Sequence, residues 1–243
     1  MEPFETKDYL LRLLNKNNPD EIKEVQKLRY DYLLREFDPS LPEGGIDDDG
    51  FDEYCDSIIV IHKATNKIVG TYRVATKETS KGHPFKLEEE FDISSIKNDP
   101  QGVVEIGRAV IHGDYRDGVV IGLIWKGIFL YGKANNCRYS IGTASFHGTD
   151  PSVHKKAFGY LGAKRLDTKH DIFSIKNSFE IIPDPNISLA ESEMPSLLKG
   201  YIALGAVIAR NGFIDYEFNS CDVLIVIDFW TINERLVDRI LRF

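Results

Sequence analysis

The sequence predicts an α/β protein whose sheet combines parallel and antiparallel pairs, and three stretches predict it. Residues Val103 to Ile111 are mostly β-branched or small and lie between Pro100-Gln101-Gly102 and His112-Gly113-Asp114, the mark of an interior strand. Residues Val119 to Ala134 are apolar on nearly all sides, the pattern of a helix packed against a sheet, and Tyr139 to Phe146 reads as another strand. Strand, buried helix and strand make a crossover unit, which implies two parallel strands. Ser57 to His62 and Ile68 to Ala75, separated by Lys63-Ala64-Thr65-Asn66-Lys67, read as an antiparallel hairpin.

Upstream of the hairpin, Asn18-Pro19-Asp20-Glu21 supplies a helix start, with an Asn cap, proline in the first turn and a carboxylate three residues on. Ile22, Val25, Leu28, Tyr32 and Leu33 then share one stripe, so the helix is expected to run to about Glu36. The Pro-, Gly- and Asp-rich segment Pro39 to Gly50 is a loop, with Asp47, Asp48 and Asp49 expected in a solvated turn. Thr76 to Pro100 is charged and turn-rich, anchored by Phe85, Leu87, Phe91 and Ile93, with one short helix. His147 to Pro151 turns into a short helix through Tyr160. Residues 167–194 form an irregular insertion with a strand at Ser178 to Ile182. Pro195 to Ala209 reads as a helix, Phe213 to Phe218 and Val223 to Ile227 as strands, and Thr231 to Leu241 as a terminal amphipathic helix.

With 243 residues, 42% of them hydrophobic, the chain can build a substantial core. A net charge of −8 argues against a broad nucleic-acid-binding surface. Cys55, Cys137 and Cys221 are odd in number and lack metal-ligand spacing, so neither a disulfide framework nor a metal site is expected. No secretory signal is visible, and the longest apolar stretch, Val119 to Gly132, is broken by Lys126 and short of the roughly 20 residues that span a bilayer. A cytoplasmic location is the expectation.

Glu105 and Arg108 are the chemical anomaly, because charges inside a buried strand require partners or a task. Two-residue alternation sets Glu105 and Gly107 on one face and Arg108 with Ile106 on the other. A structural ion pair and a catalytic role are both open for them. The acidic run Asp52 to Asp56 suits a cationic group, with Arg29 and Arg73 as natural structural partners. Arg116-Asp117-Gly118, before the long helix, offers a weak phosphate-binding turn, against a plain tight turn. Lys155, Lys156, Lys164, Arg165, Lys169 and Lys176 against only Asp167 and Asp171 form a local basic excess, either a docking face for an acidic partner or a solvated surface. Ser145, Cys137 and His147 invite a nucleophile-and-base reading, but no strand–elbow–helix serine motif accompanies them.

Several motifs in order, Phe51-Asp52-Glu53-Tyr54-Cys55-Asp56, Val69-Gly70-Thr71-Tyr72-Arg73, Glu105-Ile106-Gly107-Arg108, Ala144-Ser145-Phe146-His147-Gly148-Thr149-Asp150-Pro151, Leu197 to Tyr201 and Phe218 to Leu224, resemble the bacterial ornithine-lipid and N-acyl amino acid synthase group. These are GNAT-fold N-acyltransferases distantly related to the acyl-homoserine lactone synthases, and the resemblance covers about residues 24 to 228. It implies one GNAT-like domain over 1–243 with a strongly bent mixed sheet, splayed central parallel strands and flanking helices. It implies no permanent cofactor; the co-substrate would be a (3-hydroxy)acyl chain on the 4′-phosphopantetheine of acyl carrier protein, or acyl-coenzyme A. The acceptor would be the amine of ornithine, lysine or glycine, and the protein would touch a membrane only peripherally. By the same resemblance Glu105 is the general base, Arg29, Asp52, Asp56, Arg73, Arg108 and Ser145 bind or support substrate, Arg116, Asp117 and Gly118 meet the donor phosphate, and Lys155, Lys156, Lys164, Arg165 and Lys169 meet the carrier protein. The rival readings are an acetyl-coenzyme A N-acetyltransferase, a lactone synthase, and a non-catalytic acyl-chain- or membrane-binding protein.

Overall fold

A computed structural model describes residues 1–186, 194–232 and 236. Its described residues gather into two compact units that interleave in sequence, the first from Met1–His83, Ile106–Cys137 and residue 236, the second from Pro84–Glu105, 138–186 and 194–232. The strand Val103–Ile111 forms as expected, and its first three residues belong to the second unit and its last six to the first.

In the first unit, Phe4–Glu5, Tyr9–Leu13, Asp56–His62 and Lys67–Thr76 run antiparallel in that order. The expected hairpin pairs Asp56 with Val74 and His62 with Lys67, with a register shift at Val60/Ile61. Ile58, Ile59, Val60 and Val69 are fully buried, each worth about 1.5–3 kcal/mol relative to exposure. The helix Val119–Ala134 packs on this sheet along a glycine, for a Cβ on Gly127 would stand 2.8 Å from an Ile58 methyl. The Asn18 side chain caps the first helix by accepting from the N–H groups of Asp20 (3.2 Å) and Glu21 (3.4 Å).

That first helix departs from its expected course. It is α-helical over Pro19–Arg29, widens to a π-helical turn over Tyr30–Leu34, and regains α geometry over Arg35–Phe37. The wider turn rotates the residues after it away from the 3.6-residue stripe. Tyr30, which opens the wider turn, is buried, with its hydroxyl donating to Pro42 O at 2.8 Å.

In the second unit, Val103, Val104 and Glu105 pair in parallel with Tyr139, Ser140 and Ile141, so the crossover topology holds and the pairing ends at Glu105. Tyr139–His147 pairs antiparallel along its whole length with Ser220–Asp228, which pairs in turn with Asn211–Asp215, itself flanked by Ser178–Glu180. The mixed α/β character with a large mixed sheet is as expected. Residues 167–186 contain a further strand, Phe173–Ser174, paired with Phe91–Asp92. The helix expected over Pro195 to Ala209 stops at Ala203, because Gly205 takes φ 87 and Val207–Ile208 joins the sheet as a short strand. The expected terminal helix, Thr231 to Leu241, lies almost wholly outside the described residues. No helix among the described residues is long and apolar enough to cross a membrane.

Candidate active site

Three arginines and three aspartates interlock in the first unit. Arg29, the last α-helical residue of the first helix and 1% exposed, spreads its guanidinium over two acids. Nη1 and Nη2 donate to Asp52 Oδ1 and Oδ2 at 2.7 and 2.6 Å, while Nε lies 2.9 Å from Asp47 Oδ2. Arg73 Nη1 donates to both oxygens of Asp49 at 2.6 and 2.8 Å and lies 3.7 Å from Asp52. Arg108 bridges the remaining pair, Nε to Asp47 Oδ2 at 3.0 Å and Nη2 to Asp49 Oδ2 at 3.1 Å. The expectation of a solvated aspartate turn holds for Asp48, which is exposed, and is overturned for Asp47, 4% exposed, and for Asp49, half-buried against Arg73. The neighbours of Asp47 in the sequence reveal nothing of this, since the guanidiniums come from 18 residues before and 61 after.

The formal charges balance, three against three, and each buried ion is tolerable only because its partners are present. Burial alone would push the Asp49 carboxyl up, but hydrogen bonds from Arg73 and the charges of Arg73 and Arg108 hold it below the usual range. Asp52 is likewise lowered, Arg29 and Arg73 outweighing burial. Burial opposes the charge on Arg73, yet Asp49 raises its pKa.

The expected pairing of Arg29 and Arg73 with the Asp52 region therefore holds, but the companion acids are Asp47 and Asp49. Asp56 stands elsewhere, accepting from the Tyr131 hydroxyl at 2.8 Å and pairing with Lys16 at 3.2 Å. Arg108 also departs from plain alternation. Its φ of 52° lies in the left-handed region, within the strand, and such a residue bends a strand and re-aims its side chain as a bulge does.

Glu105, 6% exposed, lies in the second unit and receives a turn. Its Oε1 accepts from Leu87 N–H at 2.7 Å and its Oε2 from Lys86 N–H at 3.1 Å. These donors open the 3₁₀ turn Lys86–Glu89, which Glu88 caps by accepting from Phe85 N–H at 2.7 Å. Paired N–H donors on one carboxylate are the strong, charge-assisted kind.

Ser145 is half-buried opposite Asp222. At the start of the long helix Gly118 has φ 96, and Asp117 Oδ1 accepts from Val119 N–H at 3.0 Å. Arg116 pairs with Glu36 at 2.9 Å, so the turn's cation is engaged and its first amide is capped by an acid. Lys155, Lys156, Lys164 and Lys169 are exposed and Arg165 half-buried. Among the described residues no group of His, Cys, Asp or Glu could hold a metal ion.

A mixed α/β chain with a large mixed sheet, whose parallel pair runs three residues, has the fold of a GNAT-type acyltransferase. The family model for the acetyltransferase (GNAT) domain matches residues 28–126. The L-ornithine N(alpha)-acyltransferase of Agrobacterium fabrum is 30% identical over 90% of this chain and 81% of its own length, and that of Brucella abortus 30% identical over 79% and 73%. The chain belongs to this L-ornithine N(alpha)-acyltransferase family, and it is an acyltransferase. A solved CoA-dependent acyl-homoserine lactone synthase, BjaI, shares the fold with a TM-score of 0.52 at 12% identity, covering 93% of this chain and 83% of that one.

Proposed function

We propose that this protein transfers a (3-hydroxy)acyl chain from the phosphopantetheine thioester of acyl carrier protein to the α-amine of L-ornithine. Membership of a family whose relatives bear that acceptor's name supports ornithine ahead of lysine or glycine. The observation that carries the chemistry is the buried Glu105 carboxylate at the end of the parallel pairing.

An amino-acid amine is mostly protonated at neutral pH, and only its lone pair attacks a thioester carbonyl. Glu105 receives that proton, directly or through one water, a role worth about 10²–10⁴-fold. Its hydrogen bonds to Lys86 and Leu87 N–H fix the carboxylate's orientation. Arg29, Arg73 and Arg108, locked to Asp47, Asp49 and Asp52, give a rigid charged frame for a zwitterionic acceptor, with Ser145 and Asp56 in supporting roles. Lys155, Lys156, Lys164, Arg165 and Lys169 dock the acidic carrier protein, Arg116, Asp117 and Gly118 meet its single phosphate, and the acylated product calls for only peripheral membrane contact. No covalent enzyme intermediate is required.

The deciding experiment is mass spectrometry of reactions containing purified protein, 3-hydroxyacyl-carrier protein or 3-hydroxyacyl-coenzyme A, and ornithine, lysine or glycine. N-acylornithine formed from the carrier protein, with a loss of about 100-fold or more in Glu105→Gln and an unchanged circular dichroism spectrum, supports the reading. Equal rates with both donors overturn the carrier preference, and an undiminished Glu105→Gln rate overturns the base.

A further inference from the structure

The turn that receives Glu105 ends on a second carboxyl, one that the chemistry above does not use. Glu90 comes directly after Lys86–Glu89, and its backbone is pinned on both sides, its N–H donating to Leu87 O at 3.1 Å and its carbonyl accepting from Ile175 N–H at 2.9 Å. The side chain is only 12% exposed. Its nearest cation, Lys86 Nζ, is 3.9 Å from Oε1 and sits closer to Glu89. Burial, then the charge of Asp222 and more weakly that of Asp215, disfavour a carboxylate here, while Lys86 and Lys176 oppose them without prevailing, so the group is pushed up to about 8. Asp222 is itself 4% exposed, tied to Ser220 Oγ at 2.7 Å, and lies opposite Ser145 on the neighbouring strand. One turn thus joins a carboxylate that accepts two N–H bonds and a buried carboxyl with scant cationic support. Two carboxyl groups in such different surroundings are the usual arrangement of a base and an acid.

We propose that Glu90 is the proton donor to the departing thiolate, an assignment that rests on the acyl-transfer reading above. The amine, whose ammonium proton Glu105 has taken and passed to water, forms the C–N bond to the thioester carbon with its lone pair while a second proton passes to Glu105. When the tetrahedral adduct collapses, the C–S bond breaks, its electron pair goes to sulfur, and the Glu90 O–H proton joins it to give the free thiol. Glu105 is left neutral and Glu90 ionised, and exchange of one proton each with water restores both. An alkyl thiolate, with a conjugate acid near about 8.5, is a poor enough leaving group beside an amine for such a donor to matter.

The test compares two donors, the acyl-carrier protein thioester and a 4-nitrothiophenyl thioester of the same acyl chain, whose weakly basic thiolate departs unaided. Glu90→Gln is expected to lower kcat on the carrier thioester about 100-fold with the ornithine KM unchanged, and to change kcat on the aryl thioester less than about threefold. The wild-type decline in kcat above about pH 8 should vanish in Glu90→Gln and persist in Glu90→Asp. Glu105→Gln should lose activity on both donors. Equal losses of Glu90→Gln on the two donors would identify a packing role and overturn the proposal, as would no loss on either. Wild-type protein yielding no N-acyl product from either donor would overturn the acyl-transfer reading itself.

Discussion

Arg108 Nε lies 3.0 Å from Asp47 Oδ2 while the Arg108 backbone is held at φ 52°, so an ion pair and a left-handed residue share one position. A side-chain-bearing residue in that region costs about 1–2 kcal/mol, and glycine avoids the cost. Within a regular strand glycine is worse than alanine by about 0.5–1 kcal/mol. Here the order should invert. Both Arg108→Ala and Arg108→Gly lose the contacts to Asp47 and Asp49, but only alanine keeps the backbone strain. Urea denaturation should find Arg108→Gly the more stable by about 1 kcal/mol; the ordinary order would show that the left-handed geometry carries no strain.

Asp47 bridges Arg29 and Arg108 at 4% exposure, whereas Asp56 meets Lys16 at the surface with a quarter of its side chain exposed. Asp47→Asn leaves the buried network with three guanidiniums against two carboxylates and should destabilise the protein by about 3–5 kcal/mol. Asp56→Asn keeps an acceptor for Tyr131 and should cost no more than about 1 kcal/mol. Comparable losses in denaturant midpoint would contradict the ranking.

These two aspartates also mark where sequence reading stops. The central strand and the long helix are legible to the residue, because apolar runs bounded by Gly, Pro and Asn carry their own periods and stops. Glu105 is legible as an anomaly. Asp47 and Asp49 read as solvent-loving because their partners are contributed by Arg73 and Arg108, remote in sequence. The left-handed turn at Arg108 and the π-helical turn at Tyr30–Leu34 leave no local mark either, since each is imposed by tertiary contacts. Glu90 escapes a sequence reading for the same reason: it lies in a charged, turn-rich stretch, and its burial depends on elements more than 80 residues away.

Stability should vary with pH in two opposite senses. Glu90 has a folded pKa near 8, raised from 4.5 by burial and then by Asp222. Between those values the unfolded chain has lost a proton that the folded chain keeps, so stability declines as pH rises through the window. Asp49 and Asp52 are lowered from 3.8, so their contribution is complete above that pH and is lost as pH falls below it. Urea midpoints from about pH 3 to about pH 9 should therefore pass through a maximum on the acidic side of neutrality. Glu90→Gln should flatten the alkaline slope alone, and an unaltered slope would remove Glu90 as its source.

The proposed carrier-protein face allows a kinetic separation of docking from chemistry. Lys155 and Lys156 open the helix Lys155–Lys164, and Lys164 closes it, all exposed. Charges on an exposed rim act mainly on encounter, through a field that salt screens over roughly 8–10 Å. Reversing all three to glutamate should raise the KM for acyl-carrier protein about tenfold at low salt, leave kcat at saturation unchanged, and lose most of its effect near about 0.5 M salt. The same variant should be indifferent toward a small acyl thioester that carries no protein. A fall in kcat on that small donor would place these lysines in the fold or the chemistry instead of the docking surface, whereas a KM defect that ignores salt would mean that contact shape, not charge, governs this face.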